Sequence, residues 1–152
     1  MHARDEQSRL RAVVDTAVDG VILINARGII LMFNPACEKL FGYAAYEVIG
    51  RNVKMLMPEP YQAEHDDYLA NYRETGVRKI IGIGREVLGR KRSGATFPMD
   101  LSVGEAQEDG EPIFVGIIRD LTERRSAEQA LREGAARLRA LIETAVDGVI
   151  LI

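Results

Sequence analysis

The spacing of apolar residues changes period several times along the chain, and each change marks an element. Over residues 5–16 the apolar positions Leu10, Val13, Val14 and Ala17 recur at helical spacing, and Asp19-Gly20 supplies a stop, so an amphipathic lead helix is expected. Two apolar runs follow, 21–24 and 29–33, joined by Asn25-Ala26-Arg27-Gly28, which reads as a hairpin. Asn34-Pro35 has the signature of a helix start, with the oxygen-bearing cap followed by proline in the first turn. A short helix should therefore run to residue 40, with another at 44–49 and a further turn at 53–57. Pro58 and Pro60 then interrupt, and a longer helix is expected over 61–74, closed by Thr75-Gly76.

The next segment is strand-rich, with runs at 80–88, 96–105 and 113–119 and turns at Arg92-Ser93-Gly94 and Asp109-Gly110. Strict alternation in the middle run places Phe97, Met99, Leu101 and Val103 on one face and Thr96, Pro98, Asp100 and Ser102 on the other. Two strands, a group of short helices, then three strands imply an α+β architecture: a five-stranded antiparallel sheet with its helices on one face. After Asp120-Leu121-Thr122 the period returns to that of a helix. Leu131, Ala135, Leu138, Ile142 and Ala145 alternate steps of four and three, a heptad seam. Such a seam suits either packing on its own domain or an exposed dimeric connector; because it leads into a repeated segment, the connector is preferred.

That repeat is explicit. Residues 10–24 read LRAVVDTAVDGVILI and residues 138–152 read LRALIETAVDGVILI, differing only at Val13/Leu141, Val14/Ile142 and Asp15/Glu143. The offset, from Leu10 to Leu138, is that of a whole small domain rather than a solenoid unit. The expected organisation is a lead helix over 1–17, a compact domain over 18–122, a connector helix over 123–147, and at 148–152 the truncated start of a second repeat, or else a strand that pairs with a neighbouring chain.

Composition narrows the function classes. With 47% apolar and 28% charged residues and a net charge of −3, the chain offers no electrostatic footprint for nucleic acid. No apolar run approaches the ~20 residues of a membrane span, so no membrane contact and a cytoplasmic location are expected. The single cysteine, Cys37, excludes an intrachain disulfide and reads as a small core residue. No nucleophile–histidine motif, phosphate-binding glycine loop or kinase motif is present, so a catalytic role for these residues is not expected.

The order of elements, together with DGVILI (19–24), the Asn34, Ala36, Phe41-Gly42-Tyr43 pattern, EVIGRN (47–52) and the closing DLTERR (120–125), resembles the PAS family of sensory domains. Within that family, MPEPYQAEHDDYL (57–69), YRETG (72–76), IIGIGREV (80–87) and FPMDLSVGE (97–105) resemble the haem-binding oxygen-sensor domains of the FixL histidine kinases. The resemblance implies haem b as cofactor, an oxygen-like diatomic gas as ligand and a two-component signalling context. It matches His65 to the proximal iron ligand and Arg85 to the arginine that shifts between a propionate and bound oxygen. Ile80, Leu101 and Val103 match the apolar distal pocket. Asn71 stands where a propionate-binding arginine is expected, which leaves Lys79, Arg78 or Arg85 for that task.

Helical spacing agrees with part of this picture. Tyr61, His65, Tyr68, Leu69 and Tyr72 share one helix face, so His65 should point inward with Tyr68 and Leu69 beside it. An inward histidine is either a hydrogen-bonded core residue or a ligand, and spacing alone leaves both open. Gly50-Arg51-Asn52 resembles the start of the GRNCRFLQ motif of the flavin-binding LOV photoreceptors. Val53 occupies the place of the reactive cysteine, which argues against flavin adduct chemistry. Met55, Met57 and Met99 are expected to pack in the core rather than to ligate metal.

Overall fold

The computed structural model describes residues 2–59 and 85–150. The expected helix over 61–74 and the first half of the strand expected at 80–88 lie outside the described residues. The chain divides into two units, Met1–Asp120 and Leu121–Ile152.

The first unit opens with helix α1 (His2–Thr16), followed by β1 (Gly20–Asn25), β2 (Ile30–Phe33), α2 (Pro35–Phe41), α3 (Ala45–Val48) and a 3-10 turn at Val53–Leu56. Strands β3 (Arg85–Arg90), β4 (Thr96–Glu108) and β5 (Glu111–Asp120) complete it. The five strands form one antiparallel sheet in the order β2-β1-β5-β4-β3, so the last strand in sequence is the central one in space. This is the expected α+β arrangement.

Local chemistry explains the turns. Asn25 Oδ1 accepts from the main-chain N–H groups of Arg27 (2.9 Å) and Ile29 (3.0 Å), closing the first hairpin, and Gly28 takes the left-handed conformation there (φ 82°). At the β4–β5 hairpin both Asp109 and Gly110 have positive φ, the combination that matches the twist of the paired strands.

Asn34 organises the junction of α1, β1 and α2. It is only 2% exposed. Its Oδ1 accepts from Val21 N (2.9 Å) and Cys37 N (3.1 Å), and its Nδ2 donates to Val14 O (2.9 Å) and Asp19 O (3.1 Å). One amide thus caps α2, pins the start of β1 and satisfies the carbonyl of Val14 near the end of α1. Its four bonds fill the two donor and two acceptor roles of a side-chain amide.

The core lies between the helices and one sheet face. Ile22, Ile24, Ile30, Phe33, Cys37, Phe41, Val48, Leu56, Val87, Phe97, Met99, Phe114 and Ile118 are buried in it, with Met55 and Met57 packed against its margin. Phe41 is at its centre, 6.0 Å from Phe33 and edge-on to Phe97 at 5.4 Å between ring centroids. All three methionines behave as packing residues, as expected. Cys37 is buried and free; burial pushes its thiol up to about 12, well away from a reactive thiolate.

The second unit is one helix, α4 (Thr122–Ile150), which carries the i,i+4 pair Arg124–Glu128 (3.3 Å). Its seam residues Leu131, Leu138 and Ile142 are exposed, at 74%, 59% and 54%. One boundary differs from expectation: the helix does not stop at residue 147 but continues through Asp147-Gly148 to Ile150. The identical heptapeptide TAVDGVI therefore ends a helix, bends and enters a strand at 16–22, and is helix throughout at 144–150. In the first copy β1 is held between β2 and β5 and tied by Asn34; among the described residues, no strand pairs with the second copy.

Candidate ligand site on the inner face of the sheet

The helix-facing side of the sheet is built from alternate residues of each strand. Register places two rows across it. Arg85, Leu101 and Ile118 form one row, and Val103, Gly116, Ile22 and Phe33 form the next. The expected alternation in β4 holds: Phe97 and Met99 are buried, and Leu101 and Val103 continue the same face as half-buried residues packed against the core.

Arg85 begins β3 and shares the parity of Val87 and Gly89, both buried. It therefore stands at a core-facing register position, yet it is exposed. A guanidinium at the rim of an apolar floor keeps its charge hydrated while remaining within reach of an anion on that floor. The structure thus brings together three of the residues singled out from sequence: Arg85, Leu101 and Val103. His65, Tyr68, Leu69, Arg78, Lys79 and Ile80 lie outside the described residues.

Val53, at the position where a LOV motif carries cysteine, is buried in the core. Asn52 Oδ1 instead accepts from Lys54 N at 3.0 Å and shapes the 3-10 turn. Three features were not read from sequence. Gly116 is the half-buried centre of the inner face, Glu105 shares the parity of Val103, and Arg119 reaches Asp19 at 3.2 Å. The Asp19 carboxylate binds the Arg119 guanidinium and raises its pKa further, with Asp100 adding to the effect. Strand parity alone could have flagged Glu105 and Gly116, but the Arg119 pair spans the whole domain and has no local signal.

The sheet order and the helices on one face define an α+β fold of one antiparallel sheet, and comparison with known proteins identifies its family. Residues 8–121 match the PAS fold family, and the chain belongs to that family. It is 48% identical over 130 residues to the sensor protein FixL of Bradyrhizobium diazoefficiens, covering 86% of this chain and 26% of that protein. It is 33% identical over 119 residues to the oxygen sensor protein DosP of Escherichia coli, covering 78% of this chain and 14% of that protein. The chain thus spans about a quarter or less of these curated relatives. Among solved structures, the PAS domain of an HTR-like protein from Haloarcula marismortui superposes with a TM-score of 0.64 at 24% identity, over 78% of this chain and 94% of that one, and supports the fold. Among the described residues no helix is long and apolar enough to cross a membrane.

Proposed function

We propose that this PAS domain is a gas-sensing module that holds one haem b through His65 and responds to oxygen or another diatomic gas. The observation that carries this reading is the 48% identity, over most of the chain, to a protein named as a sensor. The likeness to a protein named as an oxygen sensor supports the choice of ligand. When bound, haem supplies an iron atom whose open coordination position takes a diatomic gas.

The chain's own residues have distinct tasks. His65 is the one imidazole within the family-matched residues 8–121, and it would hold the haem iron. Leu101 and Val103, with Ile80, Tyr68 and Leu69, supply an apolar wall that excludes water. Arg85 offers five N–H donors in a planar fork, so it can pair with a propionate or with the gas and exchange one for the other. Lys79 and Arg78 are the further cations for the propionates, in a chain that has Asn71 where an arginine is expected. That the inner face is apolar, half-buried at Leu101 and Val103 and cationic at its rim fits a flat amphiphilic cofactor. A shift of Arg85 then moves β3 and its neighbours, and the signal leaves through helices.

The exposed apolar stripes support the output side of this reading. Leu10 and Val13 on α1 are each 66% exposed, and Leu131, Leu138 and Ile142 on α4 are uncovered. Each helix has a seam that a second copy of the chain would bury, so the module works as a homodimer through its helices, and the repeated segment at 138–152 belongs to a following PAS repeat.

Expression with a haem precursor tests the cofactor directly. A strong Soret band is expected, and His65→Ala should lose it while the far-ultraviolet circular dichroism is retained. Equal haem occupancy in variant and parent overturns the ligand assignment. No Soret band in the parent would instead favour a haem-free PAS that dimerises and relays a signal, the reading the uncovered seams also accommodate.

A further inference from the structure

The contacts that seat the first copy of the repeated segment in the sheet are few in kind. Its main chain pairs with β5 from Gly20↔Ile118 to Asn25↔Ile113, and with β2 from Ile22↔Phe33 to Ile24↔Ile30. Main-chain groups of Val14, Asp19 and Val21 bind the amide of Asn34. Among its side chains, Ile22 and Ile24 enter the core, at 5% and 8% exposed, and the Asp19 carboxylate meets Arg119 at 3.2 Å. Gly20 has to stay small, because a Cβ there would stand 2.8 Å from Cys37 Sγ.

The second copy meets every one of these requirements again. Main-chain bonds do not depend on the side chain, and Asp147, Gly148, Ile150 and Ile152 stand in the second copy where Asp19, Gly20, Ile22 and Ile24 stand in the first. The three differing positions fall on helix α1. Val14 is joined to Asn34 by its carbonyl, which its counterpart Ile142 also has, and Val13 is 66% exposed. The i,i+4 pair Arg11–Asp15 has its counterpart in Arg139 and Glu143. Residues 144–150 also leave the helical state readily. Gly148 stands in a helix interior, where glycine is disfavoured, and Val146, Val149 and Ile150 are β-branched.

We propose that residues 144–152 are an interchangeable first strand, and that the place between β2 and β5 accepts them from a second copy of the chain in exchange for its own residues 16–24. The donor is another chain because α4 holds its own second copy away. Residues 122–144 of that helix span roughly 35 Å, whereas Gly148 would have to lie beside Ile118, shortly before the helix begins. The chain's own strand keeps the advantage of its short link to β2, residues 26–29, which acts as an effective concentration on the order of millimolar. The exchanged form is therefore about a few per cent of the parent at tens of micromolar, and it takes over where the first copy is impaired. No cofactor is involved, so the exchange stands or falls apart from the haem reading.

The test compares Ile22→Asp with the double variant Ile22→Asp/Ile150→Asp in the full chain, by light scattering and by thermal melting at about 5 and about 200 µM. A carboxylate at position 22 expels the first copy from the core. Ile22→Asp should then associate into dimers or larger species and melt at least about 5 °C higher at the higher concentration, as another chain's second copy fills the vacated place. The double variant should lose both the association and the recovery. Its exposed seam residues Leu131, Leu138 and Ile142 are unchanged, so the comparison separates strand exchange from helix pairing. Folded proteins that behave alike in the two variants overturn the proposal. If both are unfolded at every concentration, a synthetic peptide of residues 138–152 added to the double variant decides. Recovery of folded circular dichroism with that peptide, and not with the same peptide carrying Ile150→Asp, supports the exchange; no recovery, or equal recovery with both peptides, overturns it.

Discussion

Replacing Asn34 by leucine should be among the most damaging single changes in the domain. The substitution keeps the branched outline of the side chain but removes all four hydrogen bonds of the amide. Its bond to Cys37 N is buried and is the cap of α2, and loss of such a cap costs ~1–2 kcal/mol. The other three are part-buried, so water can recover some of the loss, and each costs about 1 kcal/mol. The total, roughly 4 kcal/mol, is a large share of the ~5–15 kcal/mol that holds a domain folded. It corresponds to a fall of roughly 15 °C in Tm for a domain of this size. Urea and thermal unfolding followed by circular dichroism measure it. A loss below about 1 kcal/mol would refute the argument that Asn34 ties three elements together.

Asn34→Asp separates the donors from the acceptors. The carboxylate can still accept from Val21 and Cys37, but its second oxygen would face the carbonyls of Val14 and Asp19, so the folded state favours the protonated acid. The variant's folded-state pKa is then raised above the ordinary aspartate value. Its stability should be best preserved at low pH and should fall as pH rises through that raised pKa, whereas the Asn34→Leu deficit should not follow this titration.

The Cys37 thiol, raised by burial to about 12, makes stability fall as pH rises from the ordinary 9.0 toward 12, because only the unfolded chain ionises freely there; Cys37→Ala should lose that alkaline slope in a pH series of melts. If Arg85 pairs with the gas, Arg85→Ala should weaken oxygen binding about tenfold and carbon monoxide much less, because the more polar ligand gains more from a guanidinium; equal losses in gas titrations would make Arg85 a structural residue. Leu138→Glu should shift a parent dimer toward monomer, and light scattering that finds the parent monomeric at tens of micromolar would refute the helix-mediated dimer.

Much of the fold is legible because its signals are local. The alternation in β4, the Asn34-Pro35 helix start, the Asn25 turn and the Asp109-Gly110 hairpin each depend on a few neighbouring residues, and each stands where the pattern puts it. Leu101 and Val103 could be assigned to the inner face by parity alone. Arg85 shares that face by parity too, but its exposure is set by the tertiary structure, which no local pattern records.

What the tertiary structure decides are the long-range choices. Residues 16–22 and 144–150 are identical, yet one copy leaves a helix, bends and enters a strand while the other is helix throughout. Local propensity cannot distinguish them. The first is drawn into strand by pairing with β2 and β5 and by the bonds of Asn34, which together outweigh the helical preference that the second expresses. Asp19 and Arg119, one hundred residues apart, meet because β1 and β5 are neighbours. Sequence sets which residues can face a core or close a turn; the order of strands decides which of them meet across it.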